Sequence, residues 1–400
     1  MKHDELMTGF PPTAAAQVTL ANWRKPPFNK WSFTHVREII PSADVSGAGA
    51  SATALPHAPV DLSDLSIPFD GSSLTFGEFI DRTDTDGLVI LHKGQIVHES
   101  YSPRMSATTP HILMSVSKSM LGLLAGILTD RGELDPSQRV TEIIPEVRET
   151  AYADASVRDL LDMRVGVKFE ENYQAAGGAI IAYRKAQGWD PVTAGDEPGD
   201  LRSFFAQLIE VDGENGGNFH YVSPNTDLLG WVLERVTGKR YADLLSEHLW
   251  RPMGAETSGY ITVDRFGAPR CAGGLCTTTR DLARVGQLLV NRGRVSGLQV
   301  VPEAWIDDIM TQGDREAWNG GDFLDYIPDL PIHYRSKWYV LNGEAPMIFG
   351  VGVHGQNVFA DRNNDIVIAK FSSQPIAMDP ALIQLTLAGV AAIRARLSKS

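Results

Sequence analysis

Residues 113–132, LMSVSKSMLGLLAGILTDRG, hold the pattern on which the fold turns. Leu121, Leu124, Ile127 and Leu128 recur at helical spacing and share one face. Asp130-Arg131-Gly132 supplies a polar last turn and a glycine stop. Ser115 and Lys118 stand three apart in the first turn, so they lie on the same side of the helix.

A Ser-x-x-Lys pair arises by chance in a chain this long, and the plain structural reading is a capping serine beside a lysine that snorkels to solvent. Yet of the eleven lysines only Lys118 has a serine three residues before it. A serine hydroxyl is a poor nucleophile until a neighbouring base takes its proton. A lysine serves as that base when desolvation or a nearby cation lowers its pKa. Backbone N–H groups at the helix start, that of Ser115 among them, are placed to stabilise an oxyanion.

Around this stretch lie 400 residues, 43% of them hydrophobic, enough for one large domain or two smaller ones. A formal charge of -13 and the lack of any Lys/Arg run argue against a nucleic-acid partner. The two cysteines, Cys271 and Cys276, read as buried thiols rather than a disulfide framework or a metal site. MKHDELMTGFPPTAAA has no apolar core of signal-peptide type, and no run of ~18 uninterrupted apolar residues exists to span a membrane. A cytoplasmic, reduced setting is the default expectation.

Three blocks organise the chain. Residues 1–60 mix Pro, Ala, Ser and Gly and read as an irregular wrapping segment. LVILHKGQIVHESY (88–101) reads as a β-hairpin turning at Lys93-Gly94. Helical patterns dominate 135–274, as in SVRDLLDMRVG, DLRSFFAQLIEV, NTDLLGWVLERVTG and YADLLSEHLWRPMG. TTRDLARVGQLLVNRG is a further amphipathic helix. Strands return in WYVLN, GVGVHGQNVFAD and DIVIAKFSS, and Asp379-Pro380 starts a final helix with Asp as N-cap. One sheet-bearing domain built from 61–134 and 275–400, with a mainly helical insertion at 135–274 and a cleft between, accounts for this order.

Other chemistries find little support. There is no G-x-S-x-G elbow and no H-E-x-x-H or His/Cys cluster. One G-x-G-x-x-G occurs at Gly350–Gly355, but a strand and a turn follow it where a nucleotide site requires a helix. Those glycines instead suit close approach of another chain or a substrate to a strand.

HILMSVSKSM, FHYVSPNTD, GGLCTTTRDLARVG and GVGVHGQNVFAD, in that order, together with LWRPMGAE, resemble the serine β-lactamase-like hydrolases of penicillin-recognising fold. The likeness is to the branch of class C β-lactamases, DD-peptidases and esterases, and most specifically to the 6-aminohexanoate-dimer (nylon-oligomer) hydrolases. It covers roughly residues 20 to 395. The resemblance implies an α+β fold, an antiparallel sheet flanked by helices plus an all-helical insertion. It implies Ser115 as acylated nucleophile, Lys118 as proton acceptor and Tyr221 as the tyrosine that relays a proton to the leaving group. The N–H groups of Ser115 and of Val353, on the edge strand, would form the oxyanion hole, with Gln356 as a competing second donor. No cofactor and no metal is implied. The partner would be a small ester or amide, with no nucleic acid and no membrane, and a homodimer stays open.

Departures bear on substrate. The β-lactamase second motif Tyr-x-Asn reads Tyr221-Val222-Ser223 here, with Asn225 displaced. The usual Lys-Thr-Gly is replaced by Gly350-Val351-Gly352, which removes the lysine that attracts a penicillin carboxylate and points to esters or linear amides. Tyr173 matches the loop tyrosine of the nylon-oligomer branch. Arg184 and Ala272 stand where efficient members carry an acidic and a polar residue, so weak aminohexanoate-dimer hydrolysis is expected. Ser223, Tyr339 with Trp338, and His354 complete the candidate substrate contacts. A β-lactamase or DD-peptidase, and a catalytically silent ligand-binding protein of the same fold, are the alternatives.

Overall fold

The computed structural model describes residues 5–196, 199–324, 326–327 and 330–399, so residues 1–4 of the stretch read for a leader lie outside it. Its centre is a seven-stranded, wholly antiparallel sheet that takes strands from both ends of the chain. The order is Ile332–Arg335, Trp338–Leu341, Met347–Gly352, Gln356–Asp361, Ile366–Ser372, Thr85–His92 and Gln95–Tyr101. The hairpin expected at 88–101 is its edge, and Ile366–Ser372 zips Thr85–His92 to the C-terminal strands.

Both faces of the sheet are covered, which explains strands that read as unbroken apolar runs. Leu88, Ile90, Ile366 and Ile368 face one way, onto Leu385, Val390 and Ile393 of the final helix Pro380–Leu397. Val89, Leu91, Val367 and Ala369 alternate to the other face, in the same core as Leu282, Val285 and Leu289 of Thr279–Val290. A Cβ on Gly286 would stand 2.3 Å from Val367 Cγ1, so only glycine lets that helix sit so close. By length and composition the final helix is the single candidate membrane span among the described residues, and it rests on the sheet.

Short helices fill 140–250, with Leu160 and Leu161 of Val157–Asp162 and Leu228, Leu229 and Val232 of Ser223–Thr237 in one core. The structure differs from expectation in three places. Ser42–Val45, inside the supposed wrapping segment, is a strand paired with Gly259–Thr262. These two, with Leu275–Thr277 and His111–Ile112, make a four-stranded sheet that crosses the expected block boundaries, because it draws its strands from all three. DLRSFFAQLIEV forms only Leu201–Phe204 and a 3-10 turn. Arg184, whose position the resemblance assigns to the same loop as Tyr173, lies on a helix, Ala179–Ala186.

Candidate active site

The small sheet delivers the serine. Leu113 N–H donates to Leu275 O at 2.8 Å, and Met114 then takes a positive φ of 45°, turning the chain from strand His111–Ile112 into helix Val116–Asp130. A bulky residue in the left-handed region is strained and persists only where its surroundings over-determine it. Ser115 occupies the N-cap yet makes no side-chain cap, so its hydroxyl is free for the cleft.

Lys118 Nζ lies 2.9 Å from Ser115 Oγ and donates to Ala272 O at 2.7 Å. The lysine does not snorkel: it is 1% exposed. Burial pushes its pKa down to about 7, helped by Arg270 and opposed by Glu171 and Asp227. A large share of it is therefore neutral amine near pH 7, and that form keeps its bond to Ala272 while offering a lone pair to the serine hydroxyl. Lys118 Nζ also lies over the Tyr221 ring, 4.9 Å from its centroid. Tyr221 precedes helix Ser223–Thr237, and its hydroxyl reaches the Ser115 hydroxyl. Burial and the Glu171 charge raise its pKa, so the phenol stays protonated.

The glycine strand packs on the serine turn. A Cβ on Gly352 would stand 2.7 Å from Leu113 O and 3.0 Å from Ser115 N, and one on Gly350 3.1 Å from Ser119 Oγ. The strand Met347–Gly352 is not an edge but the third of seven, and Val353 follows it in a short turn, Val353–Gly355. Neither the Ser115 N–H nor the Val353 N–H is taken by a protein acceptor among the described residues. Gln356 pairs with Gly352 across the hairpin, and its amide spans Val353 O, His354 O and Ser372 O.

The remaining candidates fall into place unevenly. A cavity of about 640 Å³ opens here, with Met114, Tyr173, Arg184, Val353 and His354 on its walls. His354 is a wall group. Burial lowers its pKa to about 4, and neutral Nδ1–H donates to Gln374 O at 2.7 Å. Tyr173 OH donates to Glu171 Oε1 at 3.2 Å, and Arg184 Nη2 donates to Tyr173 O at 3.1 Å. Ser223 serves Glu171 through its N–H, at 2.7 Å, and its hydroxyl. Two expectations are corrected. The Ala272 side chain is buried, and the residue acts through its carbonyl on Lys118. Tyr339 is held in the aromatic core between Phe349 and Tyr334, and Trp338 lies in the core on the other face of the sheet. The displaced Asn225 is also buried, accepting from Tyr152 OH at 2.9 Å.

Three residues were missed. Asp227 accepts from Ala272 N–H at 2.8 Å and from Arg270 Nη1 at 2.6 Å, fixing the carbonyl that holds Lys118. Glu171 sits between Ser223 and Tyr173 and acts on both Lys118 and Tyr221. The one signal for Asp227 and Arg270 was a charged residue next to an apolar stretch, the Asp in SPNTDLL and the Arg in PRCAGG, and Glu171 in FEENYQ carried none.

Comparison with known proteins fits this geometry. The sequence matches the Beta-lactamase family over residues 75–392. It is 35% identical over 367 residues to the 6-aminohexanoate-dimer hydrolase of Paenarthrobacter ureafaciens, covering 92% of this chain and 91% of that protein. The solved structure of a candidate 6-aminohexanoate-dimer hydrolase from Bacillus anthracis is similar at TM-score 0.88 and 27% identity, over 96% of this chain and 98% of that one. EstCE1, a hydrolase with promiscuous acyltransferase activity, shares the fold at TM-score 0.62 and 16% identity, over 80% and 96% of the two chains.

Proposed function

The chain belongs to the Beta-lactamase family and is a hydrolase, and from that premise we propose that Ser115 cleaves small carboxylic esters, and linear amides of the 6-aminohexanoate kind more slowly, through an acyl-enzyme. The observation that carries the reading is the 2.9 Å approach of Lys118, 1% exposed, to Ser115 Oγ. Lys118 accepts the serine proton as Oγ attacks the carbonyl. The N–H groups of Ser115 and Val353 receive the oxyanion. Tyr221 protonates the departing alkoxide or amine and recovers its proton from Lys118, so the serine proton ends on the leaving group. Water then attacks the acyl-enzyme with the same groups in reverse. Esters lead because an alkoxide leaves more readily than an amine and demands less of Tyr221. The absence of a lysine at Gly350-Val351-Gly352 places β-lactams last.

Incubation with p-nitrophenyl butyrate and with a fluorophosphonate tests this. Turnover and a covalent mass gain on Ser115 are expected, both lost in Ser115→Ala. No turnover and no mass gain would leave a ligand-binding protein instead. A cephalosporin cleaved faster than every ester would overturn the substrate order.

A further inference from the structure

The loop at Tyr173 and Gln174 divides the cleft into two hollows of opposite charge. The hollow of about 640 Å³ has Met114 and Val353, the neighbours of the nucleophile and of the oxyanion strand, in its wall. Five cations line it, Arg24, Lys25, Arg184, Lys185 and Arg270, against Glu171 and Asp190. Arg24 already pairs with Asp190, Lys185 with Asp196 and Arg270 with Asp227. Arg184 has no carboxylate within 4 Å among the described residues, although it is buried. One turn on, Gln187 lines the same hollow at 1% exposure, and neither its amide oxygen nor its amide nitrogen has a hydrogen-bond partner. An amide left unsatisfied at that depth is costly, and a polar group entering the hollow would relieve that cost.

The second hollow, of about 750 Å³, contains Tyr221 with Glu170, Glu171, Asp212 and Asp322, against Lys168, which pairs with Glu210, and His220, which pairs with Asp322, and the rings of Phe323 and Tyr326. Tyr221 is the group that protonates the leaving atom, so the leaving group belongs on its side and the acyl chain in the hollow of Arg184. Resting on the proposed acyl-enzyme reading, we infer that the preferred acyl chain ends in a carboxylate, held by the Arg184 guanidinium and the Gln187 amide. The substrates are then monoesters or monoamides of short dicarboxylic acids. The acidic second hollow repels the same carboxylate and so sets the orientation. A 6-aminohexanoate dimer carries the reverse polarity, an ammonium on its acyl end and a carboxylate on its leaving end.

The p-nitrophenyl esters of hexanoate, adipate (monoester) and 6-aminohexanoate share a leaving group and differ in distal charge, and succinate and glutarate monoesters scan the reach. In kcat/KM a carboxyacyl ester should exceed hexanoate by about tenfold, and the aminoacyl ester should fall below it. The ratio of carboxyacyl to hexanoyl turnover should drop toward unity in Arg184→Met, fall partly in Gln187→Leu, and be retained in part by Arg184→Lys. Hexanoate equal to or better than every carboxyacyl ester, or a ratio unmoved by both Arg184→Met and Gln187→Leu, overturns the inference. Calorimetry on the Ser115→Ala protein gives an arm free of turnover: adipate should bind and 1,6-diaminohexane should not, and the opposite result overturns the polarity. If every ester is inert, the acyl-enzyme reading falls while this arm still decides the charge preference.

Discussion

At the floor of the cleft, the Ser115 hydroxyl stands within reach of both Lys118 Nζ and the Tyr221 hydroxyl, and Lys118 is tied back to Ala272 O and through it to Asp227 and Arg270. On the wall, Arg184 holds a single carbonyl and Gln187 holds nothing. Both regions are buried, but on the floor Lys118 and Asp227 are held by protein partners, while on the wall both polar atoms of the Gln187 amide are left for something that enters. A satisfied network rigidifies and sets geometry, which acyl transfer requires. An unsatisfied wall selects, because its groups gain most from a ligand that completes them.

The floor should break hardest at Lys118. Lys118→Met preserves length and removes the base, and kcat/KM for p-nitrophenyl butyrate should fall by about 10³-fold. In the wild type the rate should rise with pH to a plateau with its midpoint near 7, as the amine loses its proton. Stability rises with pH as well, over a higher range. The ammonium titrates at 10.5 in an open chain and at about 7 when folded, so the unfolded state binds the extra proton between those values. The burial cost is therefore full below pH 7 and fades as pH rises toward 10.5. Lys118→Met should raise Tm, and raise it more at pH 6 than at pH 10. A lower Tm at pH 6 would mean that the lysine is held there as a well-compensated cation.

Tyr221→Phe separates proton delivery from nucleophile activation. The ring and its stacking under Lys118 remain while the O–H is lost. A drop of about 10²-fold is expected for a p-nitrophenyl ester and a larger one for a matched anilide, whose amine needs the proton. Equal losses on the two would show that the phenol only orients Ser115.

How much of this was legible follows from which interactions are local. Ser115 and Lys118 lie one helical turn apart, so spacing alone placed them together. Tyr221 is 106 positions beyond Ser115, and only resemblance to a family joined it to the pair. The strands could be read one by one from their apolar runs, but their order could not, because Ile366–Ser372 reaches back to Thr85–His92 through pairing that no periodicity encodes. The small sheet escaped notice since its strands are two to four residues long and come from distant segments. Arg184 was legible as a charge, whereas Gln187 could be recognised only after packing had sealed it and left its amide alone.

The join between glycine strand and serine turn is the next test. Gly352→Ala would force backbone apart, since its Cβ would meet Leu113 O at 2.7 Å and neither atom is the end of a flexible side chain. A penalty of about 2 kcal/mol in stability is expected, with a roughly thirtyfold loss of kcat from a displaced oxyanion donor. A loss of Tm without loss of kcat would remove Val353 from the oxyanion site.

The smallest effect belongs to the wall. Arg184→Asp reverses the sign beside the acyl hollow, and the 6-aminohexanoate dimer presents an ammonium there. Arg184 is buried, but Asp190 and Glu171 act on it at longer range, so a new carboxylate would stand near two others and the gain is tempered by their repulsion. About a tenfold rise in kcat/KM for the dimer is expected, around one charge contact. Carboxyacyl esters should lose in the same variant, and both changes should shrink as salt is raised, because the hollow opens to solvent and its field is screened. Equal changes for cationic, neutral and anionic acyl chains would mean that Arg184 acts by bracing the Tyr173 carbonyl rather than by its charge. In that case the wall, like the floor, would be a positioning device, and substrate polarity would have to be set elsewhere in the cleft.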